Sequence, residues 1–84
     1  MMAFKNNTKA SRYELEVDGH ISVADYQLDG DKLVITHVVV PEALRGKGIA
    51  AMVMEQVVAD AKTKKLSIVP LCSYAAAYLK KHPQ

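Results

Sequence analysis

One cysteine, Cys72, stands in a chain of 84 residues. An intramolecular disulfide and a cysteine zinc cluster are therefore excluded, and a reduced setting is expected. No apolar run approaches the length that spans a bilayer, and the first seven residues carry no apolar signal region. These two absences predict a cytoplasmic protein with no membrane partner. Neither sign of charge dominates either. Lys and Arg number 11 against 9 Asp and Glu, a formal net charge of +2, too mild to imply nucleic acid. Repeats, linkers and low-complexity tracts are missing as well.

What remains is an ordinary globular balance, 50% apolar and 24% charged. A chain of this size buries about 60% of its unfolded surface, enough for one core but not for a deep, enclosed active site. Residues 1–11 are polar and read as a flexible N-terminal arm, leaving 12–84 as one domain. Tyr13, Leu15 and Val17 alternate with Glu14, Glu16 and Asp18, the period of a half-buried strand. Asp18-Gly19 signals a hairpin. Residues 21–28 read as a second strand, with Val23 on one face and Ala24 and Tyr26 on the other. After a turn at Asp29-Gly30-Asp31, a β-branched third strand covers residues 32–40 and stops at Pro41. Alternation places His37 with Ile35 and Val39, opposite Thr36 and Val38.

A helix is predicted to begin within residues 44–48 and to run to about Lys64. Ala50, Val53, Met54, Val57, Val58 and Ala61 recur at the spacing of a buried stripe. Residues 66–72 are apolar enough for a fourth strand, which a right-handed crossover would lay parallel to the third. Ser73 is placed to N-cap a last helix through Lys81. The fold class is α/β (α+β in stricter usage), a mixed sheet in the order βββαβα.

The junction of the third strand and the first helix holds the most chemistry. Val38-Val39-Val40-Pro41 gives way to Arg45-Gly46-Lys47-Gly48-Ile49-Ala50. Strand, glycine turn and helix N-terminus together form an anion site, with converging backbone N–H groups and a positive dipole end. A phosphorylated ligand is the functional reading. The plainer one is a glycine turn whose two basic residues are merely solvated. A magnesium-nucleotide loop is disfavoured, because no Ser or Thr follows Lys47.

This order of elements, with Arg45-Gly46-Lys47-Gly48-Ile49-Ala50 fitting a Q/R-x-x-G-x-G/A loop, resembles the GNAT (GCN5-related) superfamily of acetyl-CoA-dependent N-acetyltransferases. His37, Val40-Pro41, Pro70-Leu71-Cys72 and the closing Tyr78-Leu79-Lys80-Lys81-His82-Pro83 resemble its minimal single-domain members, from residue 12 onward. The resemblance implies acetyl-CoA as cofactor. Its pyrophosphate would meet the amides of Arg45, Gly46, Lys47, Gly48, Ile49, Ala50 and Ala51. Its pantetheine arm would pair with the backbone of Val38, Val39 and Val40. It also implies an amine acceptor: a protein lysine or N-terminus, a polyamine or another small amine. The helical pair that such enzymes carry between their first two strands is missing, which would leave the acceptor side open.

Four side chains are candidates for the chemistry. His37 can serve as general base, although a histidine in an apolar strand is more often structural. Tyr74 and Tyr78, four residues apart on one helix face, could each return a proton to the leaving thiolate or simply pack. Cys72 could accept the acetyl group, line the thioester site, or act as a small buried hydrophobe. Relatives commonly carry an acid where this chain has Val39, which removes the customary carboxylate base. A non-catalytic CoA- or acyl-CoA-binding module is therefore a second reading. A small protein-interaction domain with a basic loop is a third. No metal site is expected.

Overall fold

Alternating side chains and glycine turns carry the first part of the chain into one sheet, and the computed structural model describes residues 2–83. Its elements are β1 (Met2–Asn7), β2 (Arg12–Val17), β3 (His20–Asp29), β4 (Lys32–Val39), a 3-10 turn (Glu42–Leu44), α1 (Ile49–Thr63), β5 (Ser67–Pro70) and α2 (Ser73–Lys81). The strands lie in the order β1-β2-β3-β4-β5. The first four pair antiparallel, and β5 joins β4 in parallel after the α1 crossover. The mixed α/β class and the parallel last strand agree with the sequence pattern.

The antiparallel part has one more strand than the pattern announces. Met2–Asn7, inside the segment read as an arm, pairs along its length with β2. Phe4 stacks on Tyr13 with centroids 5.7 Å apart, and the Tyr26 hydroxyl donates to Asn6 Oδ1 at 2.7 Å. Polar residues suit this strand because it is an edge, wet on one side, so its composition looked like that of a loop. Met1, which opens the range 1–11, and Gln84, which closes the range 12–84, lie outside the described residues.

Both helices pack on one face of the sheet. Tyr13, Leu15, Ala24, Tyr26, Leu33 and Ile35 meet Val53, Met54, Val57 and Ala61 of α1, with Leu44 and Ala75 closing the end of the core. α1 starts later than the predicted 44–48, because Gly46 (φ 80°) and Gly48 (φ 73°) are left-handed and interrupt a right-handed helix. At α2, Cys72 rather than Ser73 is the N-cap residue, and no side chain caps the helix.

A bulge corrects the faces expected for the end of β4. Pairing runs from Asp29↔Lys32 to Tyr26↔Ile35, then resumes at Asp25↔His37, so Thr36 is an extra residue. One extra residue reverses the alternation beyond it. Leu33 and Ile35 are fully buried, yet past Thr36 it is Val38 and Val40 that pack on the core. His37 and Val39 turn outward together, no longer on the face of Ile35.

β2 is tied to α1 by the Tyr13 hydroxyl, which donates to Asp60 Oδ2 at 2.7 Å. Burial, reinforced by the Asp60 carboxylate, pushes the phenol's pKa far up. A raised phenol contributes stability that is complete below the unfolded value of about 10 and drains away as pH rises beyond it. Tyr13→Phe is therefore expected to cost about 1 kcal/mol near pH 8. The gap to the parent should narrow at pH 11, as urea unfolding at the two pH values would read.

Candidate functional site

The Pro41 kink and the short Glu42–Leu44 turn carry the chain from the end of β4 to the start of α1. Leu44, 1% exposed, pins this connection to the core. The Arg45 amide closes the 3-10 turn on the Glu42 carbonyl at 3.1 Å, so it points away from any ligand. The six following amides, residues 46–51, have no hydrogen-bond partner among the described residues. Gly48 is the N-cap of α1, no side chain among the described residues caps it, and the first turn holds no acid. A Cβ at Gly46 or Gly48 would meet nothing within 4 Å. The two glycines are thus required by their positive φ, and they leave the amides open to a ligand.

An open cleft of about 250 Å³ lies against this cradle, lined by Val40, Leu44, Arg45, Gly46, Gly48, Ile49, Ala50, Ala51 and Tyr74. Uncapped amides at a helix N-terminus with no competing carboxylate suit a phosphate or pyrophosphate. Arg45 Nε reaches back to the Val40 carbonyl at 3.4 Å, and Lys47 is exposed at the mouth. Both bring positive charge to the rim.

A fork opens beside the cradle. β5 pairs with β4 only from Lys32↔Ser67 to Ile35↔Pro70. The Ile35 carbonyl then accepts from both Leu71 N (2.9 Å) and Cys72 N (3.2 Å), and the chain leaves into α2. Residues 36–40 have no β5 partner, so the backbone of Val38, Val39 and Val40 flanks the open side of the fork.

The four catalytic candidates fall at different places around it. His37 is exposed on the helix-free face, its Nδ1 3.3 Å from Thr36 Oγ1. Cys72, half-buried, sits at the base of the fork and packs against the core. Tyr74 lines the cleft itself, and burial, with Tyr78 nearby, raises its pKa. Tyr78 instead stacks on His82 at 4.4 Å, one turn further from the cradle.

Two features of this site carried no sequence signal. Leu44 read as the start of a helix, whereas it anchors the connection. Asp25 was a strand residue of no note until the bulge placed it opposite His37. A register shift depends on two strands at once and has no signature within either. Among the described residues no cluster of His, Cys, Asp and Glu could hold a metal ion, and no helix is long and apolar enough to cross a membrane.

Compared with known families, residues 12–84 match the one described as GCN5-related N-acetyl-transferase. No curated protein matches the chain.

Proposed function

Since the chain belongs to the GCN5-related N-acetyltransferase family, we propose that it binds acetyl-CoA at the α1 N-terminus and transfers the acetyl group to an amine. The observation that carries this reading is the row of six unpartnered amides at residues 46–51, opened by two left-handed glycines.

Acetyl-CoA, when bound, supplies an acetyl group activated as a thioester. The chain's own residues supply the remainder. Amides of Gly46, Lys47, Gly48, Ile49, Ala50 and Ala51 hold the pyrophosphate charge, with Arg45 and Lys47 adding to it from the rim. The edge of β4 that β5 leaves open along Val38, Val39 and Val40 offers strand-type hydrogen bonds to the pantetheine arm. His37 takes the proton that the acceptor amine loses as its nitrogen–carbon bond forms and the carbon–sulfur bond breaks. Tyr74 returns a proton to the departing thiolate. Cys72 lines the base of the fork.

CoA titration should shift the amide resonances of residues 46–51, and a thiol-release assay with mixed amines should show turnover. His37→Gln is expected to lower kcat/KM by about 10²-fold or more while leaving CoA affinity in place. Direct transfer predicts no acetyl adduct on Cys72 in intact mass spectra taken shortly after mixing with acetyl-CoA. An adduct absent from Cys72→Ala would replace direct transfer with a covalent route. Binding without thiol release would leave a CoA-binding module, the reading that Val39 favours by standing where a carboxylate base is customary.

A further inference from the structure

Both helices cover the same face of the sheet, so among the described residues no helix packs on the opposite face. Strand register lays out its side chains in rows. Asn7, Arg12, Asp25 and His37 form one row, and Lys5, Glu14, Val23 and Val39 form the next. Ala3, Glu16 and Ile21 follow, continuing away from the first row. The Thr36 bulge is what puts His37 and Val39 into this grid, beside the fork. Val39 is 52% exposed and Ile21 49% exposed, and Val23 lies between them. A shallow depression of about 130 Å³ marks the Ile21 end, bounded by Glu14 and Glu16.

The charges on this face are unevenly committed. Glu14 is only 14% exposed and is held by Lys5 at 3.6 Å and by Asn7 at 3.1 Å. Asp25 is more open, 35% exposed, and its contact with Arg12 Nε is a long 3.4 Å ion pair. Among the described residues that Nε makes no hydrogen bond, so Asp25 retains capacity to accept from a ligand. Asp25 is also the acid paired across from His37. The row nearest the fork can therefore hold an ammonium beside an imidazole. The neighbouring row, about 7 Å further along the strands, presents aliphatic surface.

From this arrangement we infer that the bare sheet face is the acceptor site and that it takes a primary amine carrying an apolar substituent. The amine sits over Asp25 and His37, and the substituent covers Val23, Val39 and Ile21. A polyamine fits less well, because its further cations would meet this aliphatic strip before reaching Glu16. The inference rests on the transfer reading for its biological sense, but the surface can be tested without turnover.

The probe is 2-phenylethylamine, titrated into the full chain with and without CoA, against spermidine and a lysine-containing peptide. Saturable methyl shifts at Ile21, Val23 and Val39 are expected, with spermidine binding at least tenfold more weakly. Val39→Thr keeps the β-branched shape and removes one methyl of apolar contact, so it should weaken 2-phenylethylamine about fourfold. Ile21→Thr should act in the same direction, and the amide spectrum of each variant checks its fold. Shifts confined to the helix face, no saturable shift, or a preference for spermidine or the peptide would overturn the inference. Failure of CoA to shift residues 46–51 would instead count against the transfer reading alone.

Discussion

Ala50→Asp is expected to strengthen α1 and, in the same molecule, to weaken CoA binding about 100-fold. Ala50 is the second residue of the helix, and the first turn contains no acid. A carboxylate there meets the positive end of the dipole and should add about 0.3–1 kcal/mol to stability. The same carboxylate would stand against the lining of the cleft, to which Ala50 contributes. Two like charges about 5 Å apart repel by about 3 kcal/mol at an effective dielectric of 20. Affinity should therefore fall by about 100-fold. Calorimetric titration with CoA, together with a thermal melt, reads both signs. A turn that was only solvated would show the stabilisation with no binding to lose, and a variant binding CoA as tightly as the parent would sink the cradle.

Leu44→Ala should produce the largest loss of stability. Leu44 is 1% exposed and belongs to the core cluster although it lies in the three-residue turn before the cradle. Truncating a fully buried leucine costs about 2–5 kcal/mol, depending on how far the surroundings collapse. A chain of this size has only about 0.05–0.15 kcal/mol of stability per residue. Each kcal/mol corresponds to about 4–8 °C in Tm for a domain of this length. A drop of roughly 15 °C is thus expected by differential scanning calorimetry. Ala43→Ser, at the exposed neighbouring position, serves as the control and should stay within about 0.5 kcal/mol of the parent. A small effect at Leu44 would mean that the turn is held from elsewhere, and that the cradle is not braced by the core.

These expectations draw on features of very different legibility. The loop from Arg45 to Ala50 was plain in the chain, because two glycines and two basic residues at a strand-to-helix junction are a local pattern. The α1 stripe was plain for the same reason: Val53, Met54, Val57 and Ala61 declare their common face by spacing alone. β1 was hidden, since an edge strand needs only one good face and Phe4 is its one aromatic contribution. The position of Tyr74 could not be separated from that of Tyr78 by spacing. Only the docking of α2 put Tyr74 in the cleft and left Tyr78 stacked on His82.

The sequence by itself determined the class of the fold, the crossover that makes β5 parallel, and the glycine turn that opens α1. Each follows from interactions within a few residues: alternation, helical periodicity, and the need for positive φ at Gly46 and Gly48. The tertiary structure alone decided which way the end of β4 faces. Thr36 becomes an extra residue only because β3 supplies one partner fewer, and that mismatch turns His37 and Val39 away from the core. The same register sets Asp25 opposite His37 and Val23 opposite Val39. Strand pairing is a property of two segments far apart in the chain, so the bare face and its rows exist only once the sheet has formed.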